Sequence, residues 1–455
     1  MEITSFAIKK LHGKLDYELK LKNNTLILIG ENGSCKTTII KMLFYTLSMQ
    51  WSKLSQYNFK SVTIQINEHA HTITKTDINT IAFFDESFIR RFPAPIRNEL
   101  RFAQTRGRTI DIEKIESLCR RYGFPVDYIL RELDIESTFD FFSESEPETV
   151  EKHAALKHRL SSLKSALKDT CVLYLPTYRR IEQDLKVVLG RDIDEQEYRS
   201  KRSQNNSRNN AFTELVEFGM SDVNDAINRT LNTLKDFFRD SLNSLTLGYL
   251  GDVVEEKYRN VDVTPIKNAD DDTIHNIMNR VDEKILSTQN KSRLLTTLRE
   301  IRDRGIISEH DRVVCHYFIK LLNSHSELEK KEIQIRKFGE VCGKYLENKN
   351  VRYDSSNFTF SIMSNIDNQP VELYQLSSGE KQIVSLFSQL YLSEQNQYFV
   401  LIDEPELSLS VKWQKHFLVD VRNSGFCNGL IAVTHSPFIF DNELDKYARG
   451  IGEFN

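Results

Sequence analysis

The chain has 455 residues, 40% hydrophobic and 28% charged, and 61 Lys and Arg against 65 Asp and Glu give a net charge of −4. This balance excludes global disorder and a uniformly basic nucleic-acid coat, while leaving room for a local basic groove. The length suits one large unit or two interleaved ones, and 17 glycines with 9 prolines, about half the usual share, favour a largely helical chain.

Cysteines stand at 35, 119, 171, 315, 342 and 427, with no CxxC pair, so neither a zinc site nor a disulfide framework is expected. The opening MEITSFAIKK lacks the apolar stretch and cleavage site of a signal peptide. No run of about 18 apolar residues offers a membrane span. The expectation is a cytoplasmic protein with no membrane contact.

In chain order, Thr25–Ile29 is a short apolar run of strand type. Gly30-Glu31-Asn32-Gly33-Ser34-Cys35-Lys36-Thr37-Thr38 follows, and then the helix start Ile39–Phe44. A strand, a glycine-rich loop, Lys-Thr and a helix form the setting of a phosphate-binding P-loop. Backbone N–H groups of Gly30, Asn32, Gly33, Ser34 and Cys35 can curl around an anion, helped by the positive helix N-terminus with Thr38 in its first turn. Lys36 can reach the β- and γ-phosphates of ATP, and Thr37 can ligate Mg²⁺. Cys35 occupies the place where the pattern has its last glycine, so its Cβ and thiol can crowd the loop. The ordinary alternative is a glycine-rich turn before a helix.

Farther on, Glu113–Tyr122 and Val126–Leu133 read as helices, and 141–148 as an acidic surface turn. Cys171–Leu175 is a short apolar strand, followed by Pro176-Thr177-Tyr178-Arg179-Arg180. Arg179 and Arg180 can meet phosphate, nucleic acid or a partner, or simply pair with Glu182 at the surface. Residues 200–210 are polar and of low complexity, which predicts a mobile loop. An apolar stripe then runs Met220, Val223, Ile227, Leu231, Leu234, Phe238, Leu242, Leu245, with Ser221 as its expected cap. A second runs Val314, Phe318, Leu321, His325, Leu328, Ile335, Phe338, Cys342, Tyr345, near heptad spacing with one polar layer. Two such helices can pack as an antiparallel arm or serve as core.

Near the end, Leu376-Ser377-Ser378-Gly379-Glu380 precedes the helical spacing of Ile383, Leu386, Phe387 and Leu390. This start is either a second anion-binding N-terminus or a serine cap. The apolar run Tyr398–Ile402 ends in Asp403-Glu404-Pro405. Asp403 can hold Mg²⁺ through water, and Glu404 can orient or deprotonate an attacking water. Gly429–Val433 is another buried strand, ending in Thr434-His435, where His435 can sense a terminal phosphate.

In this order, P-loop, Ser-Ser-Gly-Glu, Asp-Glu and His resemble the ABC-type ATPase head, within the branch of SMC, Rad50 and RecF proteins. The resemblance implies an α/β fold: an ATPase head split by a large helical insertion. The head would comprise 1–105 and 351–455, with 106–350 inserted and 171–185 returning to the head's sheet. It implies a homodimer of heads, in which Ser377, Ser378 and Gly379 of one copy face the ATP held by the other. Leu407–Ser410 sits where the family's dimer-contact loop lies. Asp85 or Glu86 sits near the family's glutamine loop, and Asp85 is carried as a further metal candidate.

Tyr174–Glu182 and Phe218–Val223 resemble segments of the compact bacterial OLD-like ATPases of antiphage defence. Full OLD proteins carry a C-terminal nuclease domain, whereas only Phe438–Asn455 follows the last strand here, so no nuclease domain is expected. The related two-gene systems, PARIS and Septu, pair the ATPase with a separate effector, a TOPRIM-like or an HNH nuclease respectively. The resemblance implies a higher homo-oligomer that sequesters such a nuclease until a phage-encoded trigger protein arrives. Two other readings stay open: a RecF-like DNA-repair clamp, which the net charge of −4 disfavours, and a non-hydrolysing ATP-gated interaction protein. Direct DNA or RNA binding is not favoured.

Overall fold

The computed structural model describes residues 1–31, 33–67, 69–78, 93–105, 118–123, 158–168, 170–177, 212–214, 219–281, 286–304, 308–393 and 397–454. Asn32, Asp85, Glu86, Arg179, Arg180, the acidic stretch 141–148 and the loop 200–210 lie outside them.

The chain begins with strands β1 (Ile3–Leu11), β2 (Leu15–Lys20) and β3 (Thr25–Ile29) and helix α1 (Lys36–Leu47). Strands β4 (Ser61–Ile66), β5 (His69–Thr74), β6 (Cys171–Leu175) and β7 (Phe212–Glu214) follow. Then come helices α2 (Met220–Val254), α3 (Asp271–Arg280), α4 (Thr288–Arg304) and α5 (Glu309–Gly343). The hairpin β8 (Lys349–Asp354) and β9 (Thr359–Ser364) leads to α6 (Ser378–Leu392) and β10 (Tyr398–Asp403). The chain closes with α7 (Val411–Arg422), β11 (Cys427–Thr434) and β12 (Ala448–Gly450).

Two compact units divide these elements, Met1–Val216 with Gln397–Asn455, and Glu217–Asn396. The boundary differs from the expected one, because the Ser-Ser-Gly-Glu segment and its helix group with the helical unit. The reason is packing: α6 lies against α5 and α2.

The first unit holds a six-stranded sheet in the order β12-β3-β11-β10-β6-β7, parallel throughout. All five residues of β6 and all six of β10 are buried, as a strand covered on both faces requires. Cys171–Leu175 thus pairs with the strand that ends in Asp403. One core joins Leu26, Leu28, Tyr174, Leu401 and Val433 of one sheet face to Ile39, Leu43 and Phe44 of α1. It continues into Phe6, Ile8 and Ile64 of an antiparallel sheet ordered β2-β1-β4-β5. Sheet is therefore more extensive than the scarce glycine and proline suggest. Parallel strands are joined through helices rather than tight turns, so they need few turn residues. At Gly429, which lies within β11 and pairs with Phe399 of β10, an added Cβ would stand 2.4 Å from the Phe399 ring, which explains the glycine there.

In the second unit α2 and α5 run antiparallel, and the Tyr249 hydroxyl near the end of α2 donates to the Val313 carbonyl near the start of α5 at 3.0 Å. Val223, Ile227, Leu231, Leu234 and Leu245 are buried along α2. Its cap is not Ser221 but Gly219, whose N–H donates to the Asp222 carboxylate at 2.8 Å. Asp222 lies at the third helical position, so its carboxylate reaches back across the first turn. The polar layer at His325 is a buried charged cluster. Arg280 pairs with Glu332 at 2.8 Å, and Arg336 meets the same carboxylate at 2.7 Å. Among the described residues, no helix is long and apolar enough to cross a membrane.

Candidate functional site

The site lies at the carboxyl ends of β3, β11, β10 and β6, the side on which open parallel sheets carry ligands. After β3, Gly33 takes φ +82°, a conformation open to glycine. At Gly30 a Cβ would stand 2.8 Å from the Ile451 side chain and 2.9 Å from the Ser34 hydroxyl, so no side chain fits. Ser34 fastens the loop by donating to the Glu31 carbonyl at 2.7 Å. Cys35 is the N-cap of α1 at φ +64°, ψ 12°, in the left-handed region. The crowding expected at Cys35 is thus a backbone matter as well, since a Cβ there costs about 1–2 kcal/mol.

Lys36 is buried, and its ammonium donates to the carbonyls of Gly30 at 2.8 Å and Glu31 at 2.7 Å and to the Ser34 hydroxyl at 3.2 Å. Burial lowers its pKa, while the charges of Glu404, Asp403 and Glu406 oppose that shift. Thr37 and Thr38 lie half-buried in the first turn of α1.

Asp403, the last residue of β10, is completely buried. Thr37 donates its hydroxyl to Asp403 Oδ1 at 3.2 Å, and Thr177, just past β6, donates to Oδ2. A hydroxyl and a carboxylate at this spacing are hard oxygen donors of the kind that take Mg²⁺ together with water and phosphate. Glu404 follows at φ +51°, with its N–H held by the Val433 carbonyl at 2.8 Å. Burial raises the Glu404 pKa, and Asp403 and Glu406 add to the rise, against the charges of His435 and Lys36. A carboxylate of raised basicity suits the acceptance of a proton from water. His435 is exposed at the tip of β11, and its N–H donates to Glu406 Oε1 at 2.8 Å.

Lys36, Thr37, Asp403, Glu404 and His435 thus share one end of one sheet. Ser377, Ser378 and Gly379 belong to the other unit. There Ser377 is the N-cap of α6: its N–H donates to Glu380 Oε2 at 2.8 Å, and its hydroxyl accepts from the Glu380 N–H at 3.4 Å. Burial pushes the Glu380 carboxyl up, yet Lys349 at 2.7 Å and the Ser377 bonds together hold it below its ordinary value. Asn32 and Asp85 lie outside the described residues.

Two residues at the site escape the motif reading, Thr177 and Glu406. Thr177 directly follows a buried apolar strand and its proline, a position equivalent to the strand tips that drew attention elsewhere. Glu406 stands two residues after Glu404, and only the fold reveals that its partners lie 28 to 30 residues away.

A family profile described as the AAA ATPase domain matches residues 1–440. Among solved structures, the chain is similar to the Smc head domain with an extended coiled coil bound to the C-terminal domain of ScpA, from Pyrococcus furiosus. That match has 12% identity, covers 96% of this chain and 91% of that one, and has a TM-score of 0.36. A second is the SmcHead bound to the C-winged helix domain of ScpA, at 11% identity, 99% and 94% coverage and TM-score 0.34. A third is the Smc head domain with a coiled coil and joint from Pyrococcus yayanosii, at 14% identity, 96% and 93% coverage and TM-score 0.31. Comparison with curated proteins gives no match.

Proposed function

The chain belongs to the AAA ATPase domain family, and on that premise we propose that it binds Mg²⁺-ATP at the loop 30–38 and hydrolyses it to ADP and phosphate. The observation that carries this is the meeting of the Thr37 hydroxyl with the buried Asp403 carboxylate, with Glu404 next in the chain. In the proposed step the water oxygen bonds to the γ-phosphorus while the bond to the β,γ-bridging oxygen breaks. ADP leaves with that electron pair, and the water proton passes to the Glu404 carboxylate. Lys36 exchanges its loop carbonyls for phosphate oxygens. Thr37 and Asp403 would hold Mg²⁺, which when bound neutralises charge on the β- and γ-phosphate oxygens. His435 faces the terminal phosphate.

The wider role we propose is a nucleotide-gated scaffold. Two heads close on ATP, with Ser377 and Gly379 of a second copy completing each site, and the helical unit builds the higher oligomer. The resemblance of Tyr174–Glu182 and Phe218–Val223 to OLD-like defence ATPases supports a separate nuclease as the cargo, released when a phage-encoded trigger favours one conformation. Titration with a fluorescent ATP analogue tests the site: binding should need Mg²⁺ and disappear in Lys36→Ala. Light scattering of Glu404→Gln with and without ATP tests the scaffold. A mass unchanged by ATP contradicts it, as does failure of the neighbouring gene's product to copurify.

A further inference from the structure

One carboxylate ties the hydrolytic turn to the tip of the neighbouring strand, and no motif assigns it a role. Glu406 Oε1 accepts the backbone N–H of His435 at 2.8 Å and of Ser436 at 3.2 Å. Glu406 Oε2 accepts the hydroxyl of Thr434, itself completely buried, at 2.8 Å. Three donors on one side chain call for an acceptor-only group with several lone pairs, which a carboxylate is. Charge-assisted bonds of this kind are about twice as strong as neutral ones.

The turn that Glu406 anchors is otherwise unfavourable. Glu404 and Ser408 both have left-handed backbone, at φ +51° and +69°. Side chains other than glycine hold such angles only where surrounding bonds over-determine them. The Leu407 and Leu409 N–H groups close the turn on the Glu404 and Glu406 carbonyls, at 3.2 and 3.1 Å. A second clamp runs through α7: Gln414 donates to the Leu409 carbonyl at 2.9 Å and accepts the Ser436 hydroxyl at 2.6 Å. The Glu404 N–H on the Val433 carbonyl supplies a third tie. The turn 404–409 and the segment 434–436 therefore form one braced piece, with Glu406 at its centre.

We propose that Glu406 is a positioning residue for ATP hydrolysis, holding His435 in fixed register with Glu404. The proposal rests on the hydrolytic reading above. Glu406 need not touch nucleotide. It acts through the backbone of His435, so its loss should fall on kcat and spare nucleotide affinity. A misplacement of about 1 Å at a reacting centre costs up to about a hundredfold in rate.

The test is steady-state phosphate release together with binding of a fluorescent ATP analogue, on the full chain. Glu406→Ala should lower kcat about 10- to 100-fold, with the binding constant within about threefold of wild type. Glu406→Gln keeps one oxygen for the two backbone N–H groups and turns its NH₂ to the Thr434 hydroxyl. It should therefore recover most of the rate. The decisive readout is a cycle with His435→Ala: adding Glu406→Ala to that variant should cost no more than about twofold further. Losses that multiply in the double variant overturn the proposal, as does wild-type kcat in Glu406→Ala. Should Glu406→Ala fail to fold, as a thermal melt would reveal, Glu406→Asp, whose shorter carboxylate cannot keep all three bonds, takes its place in the cycle. Its residual loss should then vanish on the His435→Ala background, and persistence overturns the proposal. A wild-type protein that releases no phosphate rejects the hydrolytic reading instead, which separates the two failures.

Discussion

Two glycine- and serine-rich turns open helices in this chain, and they end in opposite states. Helix α1 starts at Cys35 in left-handed backbone, with no side-chain cap among the described residues. The loop before it is closed by the Lys36 ammonium on the Gly30 and Glu31 carbonyls. Helix α6 starts at Ser377 in extended backbone, inside a reciprocal box with Glu380 that Lys349 reinforces. The first arrangement leaves donors for an anion. The second has already spent two amides, those of Ser377 and Glu380, on side chains. A phosphate arriving at α6 must use the Ser377 hydroxyl proton and the other first-turn amides. Helix polarity favours anions at both starts, but prior engagement of the donors distinguishes them.

This contrast can be broken at several points. The largest expected effect is at the open start. Lys36→Ala removes a buried cation that would bond phosphate oxygens at about 1.5–3 kcal/mol each, so fluorescent-nucleotide affinity should fall at least about a hundredfold, to the point where binding disappears. At the capped start, Glu380→Ala opens the box and strips Lys349 of a carboxylate. A loss of about 2–3 kcal/mol is expected in urea unfolding. Ser377→Ala removes the cap alone and should cost about 1 kcal/mol by the same measurement. Its effect on ATP-driven association, if Ser377 meets a second copy's phosphate, should exceed that stability loss. Cys35→Gly should do the reverse at α1. It relieves left-handed strain of about 1 kcal/mol, raising the melting temperature slightly and turnover with it. Unchanged stability in Cys35→Gly would reject the strain reading.

One acid-sensitive group of the helical unit is His325. His325 is buried, and burial pushes its pKa down to about 4, with Arg280 and Arg336 adding to the fall and Glu332 and Asp270 opposing it. Because the folded value lies below the ordinary 6.5, the unfolded chain takes up the proton first. The stability that the neutral His325 contributes is therefore full above about pH 6.5 and declines as pH falls toward 4. His325→Leu should melt with a shallower dependence between those limits. An unaltered dependence would place the acid sensitivity elsewhere.

Much of this was legible in the residues, for physical reasons that also mark the limits. Thr25–Ile29, Cys171–Leu175, Tyr398–Ile402 and Gly429–Val433 are unbroken apolar runs because a parallel strand is covered on both faces, and all four lie in one sheet. The stripes from Met220 and Val314 announce α2 and α5 because a helix buries one face. Helical periodicity does not disclose which polar groups meet across the fold. Glu406 to His435, Thr177 to Asp403 and Glu380 to Lys349 are pairings across 29, 226 and 31 residues. The antiparallel sheet of β1, β2, β4 and β5 depends on similar long-range pairing. The Gly219 cap escaped because Asp222 supplies the oxygen that Ser221 was expected to give. The left-handed angle at Cys35 is likewise imposed by the loop, against the preference of the residue.

The central claim, that Lys36, Thr37, Asp403 and Glu404 form a hydrolytic Mg²⁺-ATP site, is tested most directly by phosphate release at saturating Mg²⁺-ATP, with wild type beside Glu404→Gln. Wild type should turn over, and the variant should lose at least about a hundredfold, as removal of a general base does, while still retaining bound ATP. Equal rates in the two proteins, or no release from either, would contradict it.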